Sequence, residues 1–215
     1  GAIDVSTTSG AITLSNSSNS FGTLTVATSG NDDATIYDST AVTVASANVG
    51  GTFALTSAGP IGQSGAIVAN ALNVSSTSGA ITLNDSSNSF GTLTVATSGS
   101  DDATIYDSTA VTVASTNVGG TFTLTSGGAI GQSGVIVANA LNVSSTGGAI
   151  TLTNSGNSFG TLTVTTSASN NAKVNDSVAV TMASSHVGGT FTLTSGSTIG
   201  HSGAILAKAL SATST

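Results

Sequence analysis

The chain has no cysteine, no tryptophan, no arginine and no glutamate, and Pro60 is its single proline. Without cysteine no disulfide can staple the fold, so stability must come from burial and hydrogen-bonded ladders, and the absence itself fits either redox compartment. Charge is scarce: nine Asp and two Lys among 215 residues leave a net charge of −7. Lys173 and Lys208 cannot form a basic patch, and phosphate contacts need clustered Lys and Arg, so nucleic acid is not an expected partner. No apolar run approaches the ~18 residues of a transmembrane helix. The usual helix formers Lys, Arg, Glu and Gln are nearly missing. The chain opens on GAIDV in mid-pattern, with no leader and no initiator Met, as expected of a mature product or an excised piece.

What is present is one 69-residue unit written three times. GAITL begins at Gly10, Gly79 and Gly148. NSFGTLTV places Phe21, Phe90 and Phe159, VGGTF places Phe53, Phe122 and Phe191, and IG-x-SG places Ile61, Ile130 and Ile199. So strict a period points to a stacked linear array rather than a globule around a pocket. The units run approximately over 1–69, 70–138 and 139–207, with 208–215 beginning a further one, all in a single continuous body over 1–215.

Within a unit, short alternating runs rich in Thr, Val and Ile are separated by Gly, Ser, Asn and Asp, the pattern of strands joined by turns. In TFTLT, Phe122 and Leu124 are expected inside and Thr121, Thr123 and Thr125 outside. The runs order into three series per unit, stepping Ile81–Ile105–Ile130–Ile150, Phe90–Val111–Val135–Phe159 and Leu93–Phe122–Leu141–Leu162, which is about 23 residues per step. The expected fold is all-β: a three-sided parallel, right-handed β-helix of about nine coils, three to each repeat. At about 4.8 Å per coil the rod measures roughly 43 Å. The glycine pairs Gly50–Gly51, Gly119–Gly120 and Gly188–Gly189 are expected in left-handed conformations. A β-sandwich gives no reason for so strict a period. Three separate 69-residue domains this polar would struggle to form cores.

The termini match in phase. Ile3 and Val5 align with Leu72 and Val74, and Leu210 falls on the same phase, so both ends present unpaired strand edges. Ile3, Val5 and Leu210 are therefore the expected self-association ends, through which copies stack or the array continues.

LTSGGAIGQSGVIVANALNVSSTGGAITLTNSGNSFGTLTV resembles the repeat regions of large bacterial exoproteins, the filamentous-haemagglutinin-like adhesins and related β-strand-repeat surface proteins. The resemblance rests on Gly127–Gly134, Gly148–Leu152 and Asn157–Val164 and covers essentially the whole chain. It implies a right-handed β-helix shaft, secretion, and an extracellular or cell-surface location. It assigns binding to no residue.

The densest polar cluster is Asp32, Asp33 and Asp38, repeated as Asp101, Asp102 and Asp107 and then as Asn170, Asn171 and Asp176. Grouped oxygen ligands could hold calcium, but the spacing matches no EF-hand and no calcium-binding nonapeptide. The competing reading is a solvated turn whose charges discourage lateral aggregation. No other cofactor is expected. Acids in repeated, equivalent positions do not make the unique constellation a glycosidase needs, so no enzyme activity is expected. His186 and His201 replace Asn and Gln in what read as turns. Thr92 and Thr94, with Thr121 and Thr123, could belong to one outward Thr face for ice or a glycan, the alternative to a structural and adhesive shaft.

Overall fold

The computed structural model describes residues 1–215 as twenty strands, and every strand pairing is parallel. The chain winds as a β-solenoid of about eleven turns. Strand pairing sorts the segments into two axial columns. The first runs through 2–6, 23–27, 42–49, 61–69, 81–90, 103–107, 121–126, 140–145, 161–166, 180–187 and 199–207. The second runs through 12–14, 34–38, 52–57, 71–76, 92–96, 111–118, 130–138, 150–159, 172–176, 190–195 and 209–214. The chain crosses from one column to the other at each step, so each segment is a half-coil.

This winding corrects the expected one in a definite way. A full turn takes 19 to 22 residues, as in Phe53↔Leu72 and Ile12↔Ala34, and not 23. Between Ile12 and Ile81 lie seven half-coils, so a repeat makes three and a half turns. The count is therefore about eleven coils in place of nine, and the rod is roughly 53 Å long at about 4.8 Å per coil. Because seven is odd, equivalent residues of successive repeats lie in opposite columns: Ile81 in the first, Ile12 and Ile150 in the second. Of the three expected series, the steps Phe122–Leu141–Leu162 and Ile130–Ile150 do stack. Ile105 and Ile130 lie in different columns, and so do Leu93 and Phe122.

The three-sided outline holds in some turns and not in others. Half-coils 42–49, 61–69 and 81–90 are wide and bent, and with their neighbours they give three segments per turn, as in 61–63, 67–69 and 71–76. The turn through 23–27 and 34–38 has only two strands. Wide half-coils stack on one another and then give way to the opposite column at 111–118, 130–138 and 150–159. The wide side thus changes face once per repeat.

Alternation along each strand puts the apolar residues inside, where 45 of them form one cluster. Phe122 and Leu124 are fully buried and the flanking threonines are not. One axial file reads Val42, Ile61, Ile81, Ala103, Phe122, Leu141, Leu162 and Met182, all buried. The five fully buried rings fit because a small residue lies beneath each of them: Ala34 under Phe53, Ala103 under Phe122, Ala172 under Phe191, Ala69 under Phe90 and Ala138 under Phe159. Alternating large and small residues lets a narrow column reach interior packing density without voids.

Candidate functional site

The polar side chains singled out by sequence are consumed by the backbone of neighbouring coils. In the Asp32–Asp38 run the three carboxylates go three ways. Asp32 Oδ2 accepts from the Gly10 N–H (2.7 Å), one turn earlier. Asp33 Oδ1 accepts from the Thr52 N–H (2.6 Å), one turn later. Asp38 is fully buried; it accepts from the Phe21 N–H (2.6 Å) and from the Thr40 N–H and hydroxyl (2.7 and 2.8 Å). Asp101, Asp102 and Asp107 repeat the scheme on Gly79, Thr121, Phe90 and Thr109. No group of three acidic or histidine side chains is brought together to hold a metal ion. The carboxylates of the cluster diverge, because each is turned towards a separate backbone N–H.

The third repeat shows what these positions require. Asn171 replaces the aspartate and still accepts from the Thr190 N–H at 2.8 Å, so that site needs an acceptor and not a charge. Asp176 has lost its hydroxyl partner, since Val178 stands where Thr40 and Thr109 stood. Its Oδ1 keeps long bonds from the Phe159 and Val178 N–H groups (3.4 and 3.3 Å), and Oδ2 has no partner. Burial pushes the Asp176 carboxyl above the ordinary carboxylate range, against the pull of those backbone donors. Burial raises Asp107 as well, opposed by the bonds from Thr109 and Phe90.

The glycine pairs are needed for a reason other than the expected one. None of Gly50, Gly51, Gly119, Gly120, Gly188 and Gly189 has a positive φ. They are glycines because coils approach there: a Cβ on Gly50 would run into the Gly30 carbonyl oxygen, and one on Gly51 into Asp33 Oδ1. The left-handed residue is the one beneath, Gly30 (φ 59°) and Gly99 (φ 58°), and in the third repeat it is Ala168 (φ 50°).

Sequence reasoning passed over a buried amide pair that joins consecutive repeats. Asn88 is fully buried and exchanges two bonds with Gln63: Gln63 Nε2 donates to Asn88 Oδ1 (2.8 Å) and Asn88 Nδ2 donates to Gln63 Oε1 (2.9 Å). Asn88 Oδ1 also accepts from the Ile67 N–H, and Nδ2 donates to the Leu83 carbonyl. Gln132 and Asn157 repeat this one unit later. The available signal was the pairing of the sequence's two glutamines with an asparagine 25 residues on, within otherwise apolar or small-residue motifs. At the N-terminal end Asn19 keeps its bond to the Leu14 carbonyl and has no Gln beneath it. At the other end His201 occupies the Gln position and is exposed.

The remaining candidates are scattered. His186 and His201 lie in strands and not in turns, and both face solvent. Lys173 points outward between Thr151 and Thr192. Thr92 and Thr94 lie in the second column and Thr121 and Thr123 in the first, so the single Thr face expected from them is divided between two. Ile3 and Val5 lie half-buried beneath Leu24 and Val26, and Leu210 is 52% exposed beside Phe191. No helix is long and apolar enough to cross a membrane.

The family comparison also finds a repeat of about this length. A family described as repeats of unknown function (DUF5649) matches residues 29–97 and 100–166. The chain belongs to this DUF5649 repeat family. No curated protein and no solved structure matches it. The DUF5649 match opens at the turn before Ala34, so it frames the same period in a different phase. It stops short of Ala168 and of the altered turns that follow it.

Proposed function

We propose that the chain is a non-catalytic structural and adhesive shaft, a segment of a secreted fibrous bacterial surface protein displayed outside the cell. The observation that carries this reading is the use made of the polar groups. The Asp, Asn and Gln side chains that could do chemistry are turned onto backbone groups of adjacent coils or onto each other, and the apolar side chains run as one core from turn to turn. Such a solenoid transmits length, since each coil is held by its neighbours. Two lysines and no arginine leave trypsin-like proteases few sites on it. The resemblance to filamentous-haemagglutinin-like repeat regions supports the surface location.

The test is immunolabelling of cells that carry the native protein. Label on intact cells supports surface display. Label only after permeabilisation would overturn it.

A second reading, a ligand-binding solenoid that presents Thr and Asn to ice or a glycan, draws support from the outward ladders. Thr123 and Thr125 lie above Thr104 and Tyr106, and Thr121, Thr123 and Thr125 lie below Ala140, Asn142 and Ser144 and then Thr161, Thr163 and Thr165. A freezing-point assay and a glycan-binding screen test it: thermal hysteresis or saturable binding favours it, and neither leaves the shaft.

A further inference from the structure

We infer that the third repeat carries a cation site absent from the first two, which holds one calcium ion in a polar hollow beside Asp176. The hollow measures about 290 Å³ and is lined by Ser155, Asn175, Asp176, Ser177, Thr194, Gly196 and Thr215, none of them apolar. One unit earlier the same places hold Ser86, Tyr106, Asp107, Ser108, Thr125, Gly127 and Thr146, and only Tyr106 differs from its counterpart. Tyr37 holds that place in the first repeat. Both tyrosines are half-buried, and no hollow lies beside either. The ring fills the space that Asn175 leaves open. Asn175 Nδ2 donates to the Thr153 carbonyl (2.9 Å), which leaves Oδ1 as the end that can face a ligand.

A second substitution leaves a carboxylate short of a partner. Val178 stands where Thr40 and Thr109 each donate a hydroxyl to the buried aspartate at 2.8 Å. Asp176 is 3% exposed, its Oδ2 has no hydrogen-bond partner, and the two bonds to Oδ1 are long at 3.4 and 3.3 Å. A buried carboxylate oxygen without a partner calls for an ion or a water. The weak hold on Oδ1 lets the carboxylate turn into the hollow that Asp176 borders. Lys173, two residues before Asn175, is exposed and does not border the hollow, so it does not supply the missing charge.

The donors select the ion. One carboxylate, the Asn175 amide oxygen and the hydroxyls of Ser155, Ser177 and Thr194 are hard oxygen ligands, with no imidazole or thiolate among them. Calcium takes about six to eight oxygens in irregular geometry, water included, whereas magnesium demands a near-ideal octahedron. A wide hollow with a single carboxylate therefore suits calcium over magnesium, at the weak end of the range found in protein sites.

Equilibrium dialysis and thermal melts of the full chain in calcium chloride test this, with magnesium chloride as the control. Calcium should bind saturably at one ion per chain, with a dissociation constant of about 0.1–1 mM. At tenfold that concentration it should raise the melting midpoint by about 3–5 °C. Magnesium should bind about tenfold more weakly. Asn175→Tyr restores the residue of the earlier repeats, so the fold is kept, and it should abolish binding, as should Asp176→Asn. The converse change lies inside the array. Tyr106→Asn with Thr109→Val gives the second repeat the same hollow and the same unpartnered carboxylate, and the chain should then take up two ions. Absence of binding at about 10 mM calcium, binding unmoved by Asn175→Tyr, an equal response to magnesium, or a double variant that still binds a single ion would each overturn the inference.

Discussion

At the scale of single residues, the third repeat acts as a natural set of substitutions in the first two. Ala168 holds the left-handed conformation that Gly30 and Gly99 hold in the earlier units, at a cost of about 1–2 kcal/mol for a side chain with a Cβ. Ala168→Gly is therefore expected to stabilise the fold by up to about 1 kcal/mol once the entropy of glycine is charged against it; an unchanged or lower denaturation midpoint would contradict that. Asp107 and Asp176 make a second residue-scale prediction. Burial lifts their folded-state pKa values above the ordinary carboxylate value, so the folded chain holds its protons to higher pH than the unfolded chain. Their contribution to stability therefore falls as pH rises from the ordinary carboxylate value through the raised one. Thermal melts should show a midpoint that rises as pH is lowered from neutrality toward about 4. The double variant Asp107→Asn, Asp176→Asn should flatten this dependence, and a slope as steep as the parent's would assign it to other groups.

At the scale of the half-coil, the amide pair and the Ala–Phe steps decide stability. Asn88→Ala leaves the Ile67 N–H and both ends of the Gln63 amide without their buried partner. A loss of about 1–3 kcal/mol is expected in chemical denaturation. Ala103→Leu crowds the ring of Phe122 and should cost about 1–3 kcal/mol through overpacking, although leucine is the more apolar residue; a neutral result would mean the file is loosely packed. This scale also shows where sequence reading succeeded and failed. Alternation in TFTLT told inside from outside because Thr, Phe and Leu differ sharply in polarity. The turn length was misread because wide half-coils such as 81–90 and narrow ones such as 92–96 carry similar apolar runs. A three-way division of 69 therefore fitted as well as seven half-coils. The carboxylates read as possible ligands because their sequence spacing is short. Only the register shows that Asp32 and Asp33 bond to coils on opposite sides. The exchange between Gln63 and Asn88 spans 25 residues, beyond any local pattern.

At the scale of the whole molecule, the odd number of half-coils makes consecutive repeats face opposite ways while keeping one continuous core. Excision of residues 70–138 removes seven half-coils and rejoins equivalent positions, so the remainder should fold as a shorter rod with a melting point only slightly lower. Excision of half a unit should instead leave a frayed and less stable chain, because wide half-coils would then meet narrow ones. The most direct test of the winding itself uses the cysteine-free background. Paired parallel strands hold Cα atoms within disulfide range. Thr123 and Asn142 are such a pair, 19 residues apart. Under mild oxidation the variant Thr123→Cys, Asn142→Cys should crosslink, and Thr123→Cys, Thr146→Cys, separated by the 23 residues of a three-coil repeat, should not. Crosslinking of the second pair in place of the first would contradict three and a half turns per repeat and the alternation of faces built on it.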